Sequence, residues 1–235
     1  MRRLILGMGL MALAGTGAAA EANWSGKGEG GIVFSRGNAD NDNANIRLEL
    51  ARELDRWKHG FGLSALRASN AGNISAERYG AGWQSDYKLT ERSFWFGALR
   101  YEMDEFSGFD YQSSATTGYG RKLIDTESTK LTGQLGLGYR SIKNSLTAET
   151  LGDAVIRGDL NFERVLTETT SLINRFSVES GSNNTLAINE LALQVRMSDA
   201  FALSFGVGVR HNTDPPTGLK NTDTLTTVNL VYAIK

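Results

Sequence analysis

The amino-acid sequence predicts an all-β fold: an up-and-down antiparallel transmembrane β-barrel of about 12 strands. Three observations predict it. Apolar and polar residues alternate with a period of two along most of the chain, which is strand periodicity. Five times an alternating run closes on an apolar residue followed shortly by an acidic one: Leu54-Asp55, Leu89-Thr90-Glu91, Leu123-Ile124-Asp125, Leu166-Thr167-Glu168 and Met197-Ser198-Asp199. These spots recur roughly every 31 to 43 residues, the length of one long hairpin up and back. Only two prolines occur, adjacent at Pro215-Pro216, and a residue that deletes ladder hydrogen bonds should be scarce in a chain that is mostly strand.

The N-terminus is read first, because it is set aside before the fold. Arg2 and Arg3, an apolar stretch over 4–13 and small residues over 14–20 form the three-part layout of a secretory signal peptide. The apolar stretch is too short to cross a bilayer as a helix. Residues 1–20 are therefore expected to be a cleaved leader, with cleavage after Ala20 or Ala22, and 21–235 one barrel domain.

Strands are expected at 24–36, 43–55, 57–69, 74–89, 93–104, 111–124, 128–141, 153–166, 169–180, 185–197, 200–212 and 222–234. The second sets Ala44, Ile46, Leu48 and Leu50 against Asn45, Arg47, Glu49 and Glu53. The third sets Trp57, Phe61, Leu63 and Ala65 against Lys58, Gly60, Gly62 and Ser64. The fourth sets Tyr79, Ala81, Trp83, Tyr87 and Leu89 against Arg78, Gly80, Gly82, Gln84 and Asp86. The seventh sets Leu131, Leu135, Leu137 and Tyr139 against Lys130, Thr132, Gln134 and Arg140. The tenth, eleventh and twelfth alternate as cleanly, through Leu191/Leu193/Val195, Phe201/Leu203/Phe205/Val207 and Val228/Leu230/Tyr232. The first, fifth, sixth and ninth are less regular. In the fifth, Phe94/Phe96 and Trp95/Leu99/Tyr101 compete for the apolar face.

Alternation does not say which face is buried. A soluble barrel turns its apolar face inward; a membrane barrel turns it outward. Two observations favour the membrane barrel. Glycine pairs two apart lie on the polar face at Gly60/Gly62, Gly80/Gly82, Gly118/Gly120, Gly136/Gly138 and Gly206/Gly208, where a crowded interior, not a solvated surface, has use for them. They imply open space inside. Trp57, Tyr87, Tyr139 and Tyr232 sit near the ends of the apolar face, as rings at a membrane–water boundary do. A spanning sheet must close, since lipid satisfies no free backbone group. The five acidic turns are tight and are expected to face the periplasm. The longer connections at 36–43, 69–73, 105–110, 142–152, 181–184 and 212–221 are expected to face outward.

Composition excludes several function classes. There is no cysteine and the formal net charge is −1, so neither thiol chemistry nor nucleic-acid binding is indicated. No phosphate loop, dinucleotide fingerprint, zinc spacing or serine elbow is present, and no catalytic residue, cofactor or metal is assigned. Asp40-Asn41-Asp42-Asn43 lacks the glycine and glutamate of a calcium loop. The only histidines, His59 and His211, fall on the apolar phase near the two boundaries; the sequence supplies neither with a nucleophile within reach. The segment 105–111 is aromatic and contains Gly108, suiting it to a constriction at the mouth or a contact surface. The candidate functional residues are the charges expected to face the lumen: Arg47, Glu49, Arg78, Asp86, Arg100, Glu102, Arg140, Arg157, Asp159, Glu163 and Arg196. Rings of charge filter solutes in channels; the same residues, fully paired, would hold a closed barrel together.

Trp24-Ser25-Gly26 leading to Ser35-Arg36-Gly37-Asn38, Ala98-Leu99-Arg100-Tyr101-Glu102 with Phe106-Ser107-Gly108-Phe109-Asp110-Tyr111, and Gly136-Leu137-Gly138-Tyr139-Arg140 together resemble the salt-induced outer membrane protein family, the YdiY-like family of unknown function. The resemblance spans nearly the whole mature chain. It implies an outer-membrane barrel and a link to salt, and no defined activity. The chain departs from such barrels at its end, where Ile234-Lys235 stand in place of a final aromatic residue. The functional expectation is a small passive channel of the bacterial envelope, not an enzyme. A closed structural or loop-presenting barrel and an outer-membrane hydrolase are the alternatives. Expected partners are outer-membrane lipid, lipopolysaccharide and the barrel-assembly machinery, with small solutes as cargo and no nucleic acid.

Overall fold

The computed structural model of the protein describes residues 23–36, 42–70, 73–104, 109–145, 147–215 and 218–234. The leader expected over 1–20, Asp40 and Asn41 of the Asp40–Asn43 motif and residues 105–108 of the aromatic loop lie outside the described residues. Among the described residues are twelve strands: β1 (Asn23–Arg36), β2 (Asp42–Glu53), β3 (Trp57–Asn70), β4 (Asn73–Lys88), β5 (Ser93–Asp104), β6 (Phe109–Asp125), β7 (Thr129–Asn144), β8 (Thr150–Val165), β9 (Thr170–Gly181), β10 (Thr185–Arg196), β11 (Phe201–Asn212) and β12 (Thr222–Ile234). Each pairs antiparallel with its neighbour in sequence, and β1 pairs with β12, so the sheet closes. No strand edge is left open, the condition a lipid environment imposes.

Four of the five tight turns share one device. Thr90 Oγ1 accepts the Ser93 N–H at 3.0 Å, Thr126 Oγ1 the Thr129 N–H at 3.0 Å, Thr167 Oγ1 the Thr170 N–H at 3.1 Å and Ser198 Oγ the Phe201 N–H at 3.1 Å. A hydroxyl at this position offers the backbone a local acceptor and stops the ladder. The recurring acidic residue marks these turns in the sequence, while the hydroxyl makes the contact.

The two faces are inverted relative to a soluble protein. Ile46, Leu135 and Leu137 are each 65% exposed, whereas Phe96 and Arg140 are 0% exposed. Leu48, Leu63, Trp83 and Phe205 share the outward phase through the registers of β2–β3, β3–β4 and β11. A surface of contiguous exposed leucine, isoleucine and valine is far larger than water tolerates on a monomer, and it is what acyl chains solvate. Aromatic rings border it at both ends. Trp24, Trp57, Trp95, Tyr119 and Tyr232 are exposed toward the tight-turn end, and Tyr79, Tyr101 and Tyr139 toward the other. On β4 the rings of Tyr87 and Tyr79 are eight residues apart, about 27 Å along a strand. A tilt of about 40° brings this to about 20 Å along the axis, comparable with the ~25 Å apolar band of outer-membrane barrels.

The competition in β5 is resolved. Trp95, Leu99 and Tyr101 face outward, while Phe94 and Phe96 face the lumen beside Gly120 and Gly118 of β6. This corrects one expectation from the glycine pattern. Gly60 and Gly62 border empty space, but Gly120 and Gly136 make room for the two phenylalanine rings. A Cβ at Gly136 would stand 2.8 Å from Phe96 Cζ and 2.7 Å from the Thr117 carbonyl oxygen. Gly136→Val is accordingly expected to destabilise the barrel by about 1–3 kcal/mol through overpacking. Gly62→Ala, with nothing within 4 Å, should be close to neutral. Parallel urea titrations of the two refolded variants measure the difference.

Candidate functional site

The lumen is the candidate site, and its charged side chains meet across it. Arg47 of β2 donates to both carboxylate oxygens of Glu190 on β10, at 2.9 and 2.7 Å. Arg175 of β9 donates to Glu49 of β2 at 3.1 and 3.3 Å. Arg210 of β11 donates to Glu102 of β5. In the closed order of strands these partners are four, five and six strands apart. The last pair joins opposite walls of the barrel, so these bonds can run only through the interior.

Two chains of ion pairs result. The first lies toward the long-loop end and runs Arg210–Glu102–Arg100–Glu179–Arg140–Asp153, with separations of 3.8 Å for Glu102–Arg100, 3.6 Å for Arg100–Glu179, 3.7 Å for Glu179–Arg140 and 3.1 Å for Arg140–Asp153. Arg78 pairs with Asp104 at 2.7 Å on the same side of the barrel. Arg140 also donates to the Asn184 carbonyl at 2.9 Å. Around this end Phe109, Ile142, Val155 and Leu186 are buried, an apolar filling inside an otherwise polar lumen. The second chain lies nearer the middle and runs Lys27–Glu49–Arg175–Glu190–Arg47, with Lys27 also 2.6 Å from Glu29.

The charges named from the sequence are placed as follows. Arg47, Glu49, Arg78, Arg100, Glu102 and Arg140 belong to these networks. Arg157 and Asp159 face inward and pair with each other at 2.9 Å. Asp86 lies at the tight-turn end and accepts from Gln84 at 2.8 Å. Glu163 pairs in register with Lys130 of β7. Arg196 is at the rim, where it donates to the Glu168 carbonyl at 2.7 Å. The structure adds Lys27, Glu29, Asp104, Asp153, Arg175, Glu179, Glu190 and Arg210. In β9 a signal for two of them was present: Leu172, Phe176 and Val178 share one phase, opposite Arg175 and Glu179. Asp104 and Asp153 sit near strand ends, where alternation gives least guidance.

Among the described residues, cavities of about 770, 280 and 160 Å³ flank the pairs. Arg100 and Arg157 line both the first and second, Lys27 and Gln194 both the first and third, and Arg175 and Glu190 both the second and third. The spaces are thus divided from one another at charged and amide side chains.

Outside the lumen, His59 Nδ1 lies 2.9 Å from Ser85 Oγ, and His211 Nδ1 lies 2.8 Å from Thr222 Oγ1. Both pairs are on the outward phase. Each histidine therefore has a hydroxyl neighbour that sequence alone did not supply. Among the described residues no group of three or more His, Asp or Glu side chains could hold a metal.

Comparison with known proteins agrees with this architecture. A family model described as "Protein of unknown function, DUF481" matches residues 28–234. The chain is 29% identical over 175 residues to the uncharacterized protein YdiY of Escherichia coli (strain K12), covering 73% of this chain and 68% of that one. Among solved structures the NanC porin is similar in fold, with a TM-score of 0.60 at 10% identity over 90% of this chain and 100% of the porin.

Proposed function

The chain belongs to the DUF481 family of proteins of unknown function, and from that premise we propose that it is a narrow passive channel of the bacterial outer membrane for small polar solutes. The observation that carries this reading is the division of the lumen: its cavities meet at the side chains of Arg100, Arg157, Lys27, Gln194, Arg175 and Glu190. Side chains change rotamer on a far faster timescale than a backbone plug could move, so such partitions can pass solute. Opposed charges along the path would select by charge as well as by size. The channel needs no cofactor and no chemistry. Export through the leader, insertion by the barrel-assembly machinery, contact with lipopolysaccharide and the salt link implied by the family resemblance belong to the same proposal.

A second reading, a closed structural barrel, is favoured by one observation: the Arg210–Glu102 bond joins opposite walls. Planar-bilayer recording separates the two. The wild-type protein is expected to give small, reproducible conductance steps. Arg210→Ser, which removes the cross-lumen bond and shortens the side chain, is expected to enlarge them about twofold or more. Silence from folded wild-type and Arg210→Ser protein alike would leave the closed barrel as the answer.

A further inference from the structure

The cavity of about 770 Å³ has a bare floor. Two rows of register partners across β2–β5 line it. One is Glu49, Gly62, Gly82 and Arg100; the other, nearer the tight turns, is Ala51, Gly60, Gln84 and Ala98. A Cβ at Gly62 would meet nothing within 4 Å, and one at Gly60 or Gly82 nothing nearer than 3.9 Å. Neighbouring side chains therefore do not fill the floor. Three strand spacings, roughly 14 Å, separate the backbones of Glu49 and Arg100, with only glycine between them. The volume falls within the roughly 300–1,000 Å³ of small-molecule sites.

The charges around this space are already matched. Lys27 is 2.6 Å from Glu29, Glu49 is 3.1 Å from Arg175, and Arg157 is 2.9 Å from Asp159. An ion entering here would separate one of these pairs or lie uncompensated, and both are costly. Hydrogen-bonding capacity, by contrast, is left over. Arg100 approaches Glu102 and Glu179 only at 3.8 and 3.6 Å, beyond hydrogen-bond length, so among the described residues its N–H groups have no acceptor. The Gln194 amide, part-exposed on β10, has no hydrogen-bond partner among the described residues. Gln84 gives its amide N–H groups to Asp86 at 2.8 Å and Gln134 at 3.4 Å, which leaves its carbonyl oxygen. Gln84 and Gln194 stand on β4 and β10, six strands apart in the closed ring and so on opposite walls. Neutral acceptors and unspent donors thus face one another across open space, above a floor of C–H and peptide surface.

We propose that this cavity binds an uncharged, polyhydroxylated solute of monosaccharide size. Its hydroxyl oxygens accept from Arg100 and Gln194, its hydroxyl protons go to the carbonyl oxygens of Gln84 and Gln194, and its C–H face lies on the glycines. The proposal names the solute class for the channel reading. It rests on that reading only for the route by which solute arrives, because binding can be measured without conduction.

The test is ligand-detected NMR titration of the full refolded chain in lauryldimethylamine oxide, a detergent without a sugar headgroup, with glucose as the probe. Glucuronate and glucosamine, at a mildly acidic pH where both are ionised, carry the same ring with one charge. Cyclohexanol carries a ring of similar size with a single hydroxyl. Glucose is expected to bind saturably, with all three controls at least about tenfold weaker, because a site built around polar groups rejects the analogue without them. Gln194→Leu, which removes a partner, and Gly62→Leu, which fills the floor, should each weaken glucose about tenfold or more while circular dichroism stays that of the barrel. Equal binding of either charged sugar or of cyclohexanol would overturn the proposal. So would unchanged affinity in either folded variant, or no glucose binding at all. A chain that conducts without binding glucose loses the site and keeps the channel. One that binds glucose and is silent in bilayers loses the channel and keeps the site.

Discussion

Arg140→Met is expected to destabilise the folded barrel by about 3–5 kcal/mol, the cost of stranding buried charges after one partner is removed. Arg140 is fully buried and is held by Asp153, by the Glu179 carboxylate and by the carbonyl oxygens of Glu179 and Asn184. Asp153 in turn accepts the Asn183 backbone N–H at 3.1 Å, so the pair also anchors the connection between β9 and β10. Methionine fills much of the volume but leaves Asp153 without its cation and Glu179 with Arg100 alone. The triple variant Arg140→Met, Asp153→Leu, Glu179→Leu should recover part of the loss, since apolar replacement of buried ion pairs is often neutral or better, while Arg100 keeps Glu102 as its partner. Urea unfolding in lipid vesicles, followed by tryptophan fluorescence, measures both. A loss below about 1 kcal/mol would mean that the network is worth no more than an exposed ion pair.

The second large effect is expected on the other face. Leu137 lies near the middle of β7 and is 65% exposed. Leu137→Arg should cost about 2–4 kcal/mol in a bilayer, the cost of a cation at the lipid midplane of a barrel. In a water-soluble protein the same change at so exposed a position would stay within about 0.5 kcal/mol. The measurement is the same vesicle-based unfolding, with Leu166→Arg, in the turn between β8 and β9, as the interfacial control expected to change little. A neutral result at Leu137 would mean that the apolar face does not meet lipid.

Some of the lumen was legible from the chain and some was not. Arg47, Glu49 and Arg78 could be placed because their strands alternate cleanly, whereas Arg100 and Glu102 stood in β5, where two faces compete. Arg175, which binds Glu49 across the barrel, stood in a strand whose outward face includes Asn174. Period-two reasoning weakens whenever a polar residue occupies the lipid side. The inward glycines were visible, but their purpose was not. Gly62 opens space, whereas Gly136 yields it to Phe96. That distinction depends on which of two competing faces of β5 turned inward, and β5 alone does not contain the answer.

What the sequence by itself determined is the set of strands, their number and the sidedness of most of them. Those follow from local rules: a period of two, an apolar residue followed by an acidic one at each tight turn, and glycine and proline where the backbone requires or forbids them. Only the closed tertiary structure decided which charge meets which. Partners such as Arg47 and Glu190, 143 residues apart in sequence, are neighbours solely because the first and last strands join. That closure sets the barrel's width, and the width determines whether two side chains on opposite walls can touch.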